Sequence, residues 1–396
     1  FGGDPDNVTI WGESAGSYSV CSILGMPEAR GLFHKGIGQS GGSSSTRRPD
    51  YAMRATELLY DFSGVNTVEE LRALSWEEVV RAQERLMEST LLPDSIFSSV
   101  IDGVVFSEPP LQAVAEGESA NIPLLLGTTR DESRWWMVEI PLLSSPIATP
   151  AAVMTVFPYF SRAIPPEETL WDAIDLYKST YPEFAPTPNL WSLAMGTDIM
   201  IRIPILRQAE VQVPHQAQNV FVYRFDWEPP TPAYPDLNLG AFHGAELGFT
   251  MGYPEGWTEV YGESGIPQGL RDQIMDAWIA FAKTGDPNHV NLPEWQPYNL
   301  QTRPTMLFNA TGEEASSYLE EDPDGETRAF WDGLPFDGME PPFLPQDLAP
   351  PGGCGCAVFT PAGSWNFLQL AVAGLLYFLP AIFIVIVKSG IRHQKK

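Results

Sequence analysis

Cysteine and histidine are scarce in this chain of 396 residues, which has three of the first and five of the second. Cys354 and Cys356 are separated by a single residue, and Cys21 stands far from both. The number is too small and the spacing too close for a disulfide-built scaffold or a four-ligand zinc site. Basic residues are also few, with 23 Lys plus Arg against 50 Asp plus Glu and a net charge of −27. A folded body of that sign repels phosphate backbones and anionic lipid, so no nucleic-acid partner is expected. No internal repeat organises the chain. Its first residues, Phe1-Gly2-Gly3-Asp4-Pro5, lack the basic and apolar regions of a signal peptide and read as a loop from mid-domain. The start of the protein is therefore expected upstream.

Apolar material is plentiful, at 44% hydrophobic and 12% aromatic residues, which is enough for a sizeable core. Its longest run, Phe367 to Val387, carries no charge and only Gln369 as a strongly polar member. As a helix it would span roughly 30 Å, the hydrocarbon thickness of a bilayer. Pro380 would kink such a helix without excluding it from a membrane. Lys388, Arg392, Lys395 and Lys396 follow, which puts the C-terminus in the cytoplasm and the acidic body outside it. The expected division is a folded domain over 1–336, a Pro/Gly-rich tether over 337–365, a transmembrane helix over 366–387 and a basic tail over 388–396. Within the tether, Gly352-Gly353-Cys354-Gly355-Cys356 reads as a disulfide, a lipidation point or a processing site. A cysteine motif, an apolar span and a basic end also resemble the tripartite sorting signals of some bacterial surface proteins, so retention and cleavage both stay open.

The body alternates short apolar runs with helical patterns, as an α/β protein does. Val8 to Trp11, Ile122 to Leu126 and Val220 to Phe225 read as buried parallel strands. Ser14 to Leu24, Thr67 to Glu88 and Gln268 to Lys283 read as helices. In the last, Ile274, Trp278, Ile279, Phe281 and Ala282 are expected to form a core face, and Gly285-Asp286-Pro287 to stop the helix.

Chemistry enters at Gly12-Glu13-Ser14-Ala15-Gly16, a G-x-S-x-G pattern, and Gly38-Gln39-Ser40-Gly41-Gly42 matches the same pattern. A nucleophile elbow needs a strand before the serine and a helix after it, so that a strained turn lifts the hydroxyl off the sheet end. Ser14 has both neighbours, whereas Ser40 runs into Gly41-Gly42-Ser43, which starts no helix. Ser14 is therefore the candidate nucleophile and Ser40 a strand-end packing or hydrogen-bonding residue. Gly12 and Gly16 are expected to avoid a Cβ collision across the turn, and the N–H of Ala15 to face a developing oxyanion.

A serine hydroxyl needs a base, and the base an orienting carboxylate, in the chain order Ser, acid, His for this kind of elbow. His34 is too early, and His393 lies beyond the apolar span. His215 and His289 lie in a polar run and a surface turn. His243 remains, in the Gly-bounded loop Gly240 to Gly244 after the strand Val220 to Phe225. The acid should follow the strand Ile122 to Leu126, where spacing leaves Asp131 and Glu132 equal.

Five segments in order, FGGDPDNVTIWGESAG, GLFHKGIGQSG, IPLLLGTTRDES, FHGAELGFTMG and WIAFAKTGDPN, resemble the type-B carboxylesterase and cholinesterase family of α/β-hydrolases, from Phe1 to about Trp331. The resemblance implies an α/β-hydrolase fold and Ser14, Glu132 and His243 as nucleophile, acid and base. It further implies Glu246 as a supporting residue, a small-molecule ester as substrate and no cofactor or metal. It also implies that the first strands and a Gly-rich oxyanion loop precede Phe1, so that this chain alone is expected to be insoluble or nearly inactive. A non-catalytic cell-surface adhesion protein is the rival, since cholinesterase-like ectodomains on one C-terminal span also serve as ligands. Such proteins usually lose a triad member, and all three positions are filled here. Trp135, Trp136 and Trp227 are candidates for a pocket wall or for simple packing. Small residues and Arg47-Arg48 after Ser40 disfavour acetylcholine.

Overall fold

A computed structural model describes residues 3–43, 46–88, 97–139, 143, 167–187, 189–216, 219–230, 234, 236–253, 257–262 and 265–333. All lie within one compact unit, Phe1–Leu348, and the second unit, Ala349–Lys396, lies outside the described residues. The expected tether, transmembrane helix over 366–387 and basic tail therefore also lie outside them. No helix among the described residues is long and apolar enough to cross a membrane.

The centre of the unit is a six-stranded sheet. Its strands are β1 (Thr9–Glu13), β2 (Lys35–Gln39), β3 (Leu124–Thr129), β4 (Val220–Phe225), β5 (Pro304–Phe308) and β8 (Tyr318–Glu321), in that spatial order. The first five run parallel and β8 pairs antiparallel with β5. The short strands β6 (Ala310–Thr311) and β7 (Glu314–Ala315) form a separate ribbon. Parallel pairing needs crossover connections, and α1 (Ala15–Leu24) supplies the first.

Residues alternate between the two sheet faces with period two, and both faces of the inner strands β2 to β5 are buried. Leu124, Leu126, Val220 and Val222 join Cys21 and Leu24 of α1 in one apolar cluster. Ile37, Leu125, Phe221, Tyr223 and Phe225 point the other way, into a larger cluster with Ile274, Ala277, Trp278 and Phe281 of the helix Gln268–Thr284. Of the runs read from sequence as buried strands, those in β3 and β4 are apolar because two helical layers cover them, whereas Val8 to Trp11 falls on the half-buried edge strand β1. β1 has β2 on one side and no strand on the other among the described residues, and Trp11 is 41% exposed there.

Two expectations about helices change. The pattern Thr67 to Glu88 is two helices, Val68–Ala73 and Trp76–Glu88. Leu74 turns extended, and Ser75 opens the second helix with a reciprocal cap. Ser75 Oγ accepts from the Glu78 N–H, while the Glu78 carboxylate accepts from the Ser75 N–H. In the helix Gln268–Thr284, Ile274, Trp278 and Phe281 are buried as expected, but Ile279 is 45% exposed and Ala282 half-buried, because both fall outside the narrow stripe that meets the sheet. The helix stops at Gly285, which takes the left-handed conformation with φ 82°.

Close packing fixes one glycine on β3. A Cβ on Gly127 would lie 2.2–2.5 Å from three ring atoms of Tyr223, the buried neighbour on β4. Overpacking of this kind costs on the order of 1–3 kcal/mol. Gly127→Ala is therefore expected to lower the thermal unfolding midpoint by several degrees, and an unchanged melt would contradict the packing described.

Candidate active site

The site lies at the carboxyl ends of the parallel strands, where open α/β sheets present their reactive groups. β1 delivers Ser14. The backbone there has φ 51° and ψ −117°, a conformation that L side chains rarely adopt, and α1 begins with the next residue, Ala15. The Ser14 N–H is held by the Gln39 carbonyl at 2.9 Å, which ties the strained turn to β2. Gly12 makes the turn possible, since a Cβ there would sit 2.2 Å from the backbone of Gly16. Gly16 differs from expectation, because a Cβ on it would meet no atom outside its own helix within 4 Å. The steric demand lies at Gly12, whose missing Cβ admits the Gly16 backbone. Ala15 opens the helix, so its N–H is among those without a partner inside it.

β3 delivers the acid. Asp131 and Glu132 follow it, and the structure separates the pair that spacing left equal. Glu132 is fully buried, with Oε1 accepting from the Thr129 N–H at 2.8 Å and Oε2 2.6 Å from Nδ1 of His243. Asp131 turns away toward Arg130 and Arg134. On the other side of the imidazole, His243 Nε2 lies 2.8 Å from Ser14 Oγ. Three residues distant in sequence thus form one hydrogen-bonded line. The remaining described histidines make ordinary structural bonds. His34 accepts from the Val8 N–H, His215 bonds the Ala115 carbonyl and His289 bonds the Gln273 carbonyl. His393 lies outside the described residues.

Further residues surround this line that sequence reasoning did not single out. Glu13, inside the motif itself, brings Oε1 to 3.4 Å from His243 Nε2. Gln39 is a junction, its Oε1 accepting from the indole N–H groups of Trp11 and Trp278 and its Nε2 donating to Glu246 Oε1 at 3.0 Å. The Tyr223 hydroxyl, 3.2 Å away, donates to the same Glu246 oxygen. Glu246 is where a supporting residue was expected, fully buried within this network. Strand parity was the available signal for Gln39, since it ends β2 beside Gly127. Nothing local marks Tyr223 as polar support.

The tryptophans divide. Trp136 stacks on the His243 ring at 5.3 Å between centroids, and Trp135 stacks on Phe242 at 5.4 Å. Trp227 is packed among Phe225, Phe249 and Tyr261 and is a core residue. Ser40 is fully buried with φ 60°, its N–H bonded to the Gly127 carbonyl. Cys21 is a buried thiol pushed up to about 12 by burial. Among the described residues no group of three or more His, Cys, Asp and Glu could hold a metal ion.

The site defines an α/β-hydrolase with a serine, histidine and glutamate at the strand ends. The carboxylesterase family profile matches residues 1–326. The chain belongs to the carboxylesterase family. It is 33% identical to the para-nitrobenzyl esterase of Bacillus subtilis (strain 168) over 335 residues, covering 83% of this chain and 62% of that protein. It is 28% identical to carboxylesterase 4A of Bos taurus over 362 residues, covering 84% of this chain and 62% of that one. Among solved structures, the Geobacillus stearothermophilus carboxylesterase EST55 superposes with a TM-score of 0.69 at 34% identity, over 84% of this chain and 65% of its own. The chain thus spans less than two thirds of the length of these relatives.

Electrostatics make the imidazole unusual. Burial disfavours its charge, but Glu132, Glu13 and Glu246 outweigh that and raise His243 to about 9. The same crowding acts on the carboxyls. Burial, then Glu13 and Glu132, push Glu246 up to about 8, and Glu13 is raised chiefly by burial. Because the folded value of His243 exceeds 6.5, protonation favours the folded state; that contribution is full below pH 6.5 and lost as pH rises through about 9. An NMR titration of His243 is expected to give a midpoint near 9, and Glu13→Gln to lower it by removing one negative neighbour. A midpoint that stays put in Glu13→Gln would sink this account.

Proposed function

We infer that this protein hydrolyses carboxylic esters through an acyl-enzyme formed on Ser14. The observation that carries the reading is the unbroken line from Ser14 Oγ through His243 to Glu132, at 2.8 and 2.6 Å. In its neutral form, populated as pH rises through about 9, His243 takes the hydroxyl proton as Ser14 attacks the ester carbonyl, and the tetrahedral oxyanion faces the Ala15 N–H at the start of α1. Collapse expels the alcohol, which receives the proton from His243. Water, deprotonated in turn by His243, then attacks the acyl-enzyme, and the acid leaves with Ser14 restored. Glu132 holds Nδ1 in donor orientation and offsets the imidazolium charge at each step.

The non-catalytic adhesion reading has no observation in its favour, because all three side chains are present and bonded. The name of the Bacillus relative supports an ester of a nitrobenzyl alcohol as a first test substrate. Attachment to a membrane, with the body outside the cytoplasm, rests on the sequence of 366–387 and its basic flank.

In the full gene product, Ser14→Ala is expected to reduce turnover of p-nitrophenyl and p-nitrobenzyl acetates by about 10⁵–10⁶-fold while leaving the melt unchanged. Ester turnover that survives this change in folded protein would overturn the assignment.

A further inference from the structure

Asp131 does not touch the imidazole, yet it makes more connections to the His243 loop than its neighbour Glu132 does. Its N–H donates to the Ala241 carbonyl at 2.9 Å, and its Oδ2 accepts from the Ala241 N–H at 3.0 Å, so that the two residues exchange both bonds. Ala241 is fully buried and lies two residues before His243. The carboxylate is itself only 7% exposed and is fixed from behind. Arg130 donates to Oδ2 through Nε and Nη2, and Arg134 Nη2 lies 2.9 Å from Oδ1. Arg134 also donates to the Asn238 carbonyl, gripping the loop at a second point. Gly240 presses directly on the carboxylate. It has φ 60°, and a Cβ on it would lie 2.3 Å from Asp131 Oδ2.

We propose that Asp131 is a positioning residue for the base: its carboxylate, backed by Arg130 and Arg134, seats the loop from Asn238 to His243 so that the imidazole meets both Glu132 and Ser14. Consecutive side chains divide the task. Glu132 fixes the ring, and Asp131 fixes the backbone that carries the ring. The proposal rests on the reading of His243 as the base and goes beyond it, since Asp131 acts only through the loop.

Two variants disturb the clamp from opposite sides. Asp131→Asn keeps an acceptor oxygen but removes the charge that two guanidiniums share. Gly240→Ala leaves every charge in place and drives a methyl into the carboxylate. Each is measured in the full gene product for kcat and KM on p-nitrophenyl acetate, for the acid limb of the kcat/KM profile and for the low-field proton resonance of His243 Nδ1. Displacing a reacting group by about 1 Å costs about 10²-fold, so both are expected to lower kcat by about 10- to 100-fold with KM within about twofold. The acid limb should move to lower pH, because an imidazole loosened from Glu132 loses the strongest of the charges, Glu132, Glu13 and Glu246, that favour its protonation. The Nδ1 proton should shift upfield for the same reason.

Unchanged kcat and acid limb in folded variants would overturn the proposal. So would a rate loss with an unmoved acid limb and Nδ1 resonance, the signature of a purely structural role. If Asp131→Asn fails to fold, Gly240→Ala decides alone. A parent protein that neither turns over esters nor labels with a fluorophosphonate would defeat the reading of Ser14 instead. The Nδ1 resonance would then still test Asp131, since an upfield shift in Gly240→Ala supports the clamp and an unmoved resonance refutes it.

Discussion

One imidazole held between a hydroxyl and a carboxylate is the interaction on which the rest of this site depends. His243 keeps 14% of its side chain exposed, and desolvation by itself would keep the ring neutral and weakly basic. Glu132, itself fully buried, reverses that by accepting from Nδ1 at 2.6 Å. Glu13 and Glu246 add negative charge on other sides. The arrangement favours the imidazolium, the form His243 holds below about pH 9 and would reach in the proposed step on accepting the Ser14 proton. It has a counterpart cost, because burial raises both Glu13 and Glu246, and for Glu246 the neighbouring Glu13 and Glu132 charges add to it.

Holding that geometry is the task of the sheet. The strand ends bring Ser14, Gln39 and Glu132 side by side although their strands are far apart in sequence. Apolar layers on both faces make the strands rigid, with α1 on one side and the helix Gln268–Thr284 on the other. Polar bonds then link the layers through the sheet end. Gln39 joins Trp278 of the covering helix to Glu246 beside the His243 loop, and Tyr223 reaches the same carboxylate from β4. The Ser14 turn is strained, and it persists because the Gln39 carbonyl and the missing Cβ of Gly12 both specify it.

The acid loop after β3 is braced from behind by a second buried polar group. Ser133 donates its N–H to Thr197 Oγ1 at 3.1 Å, at the end of the helix Asn189–Thr197. The chain continues as a π-helical turn, Asp198–Arg202, in which Arg202 pairs with Asp198 and also reaches the Pro323 carbonyl and Thr327. Both charges of that pair are buried and compensated, which is the condition under which such a pair is tolerated. The result is a firm floor under Glu132.

Sequence by itself determined the features whose causes are local. A G-x-S-x-G pattern between strand and helix signals defined the elbow and separated Ser14 from Ser40, because the strain and the following helix are written within a few residues. Apolar runs located β1, β3 and β4, and in β3 and β4 burial on two faces is what leaves that mark. Elimination left His243. The split of Thr67 to Glu88 at Ser75 was also written locally, as a Ser-x-x-Glu cap that the apolar periodicity obscured. Tertiary structure alone decided what depends on direction. Asp131 and Glu132 are adjacent and chemically alike, yet their side chains diverge, one to Ala241 and two arginines, the other to the imidazole. Glu13, Gln39 and Tyr223 became neighbours of the site only when strands remote in sequence were laid edge to edge, and no residue's own neighbours along the chain record which groups will face it across a sheet.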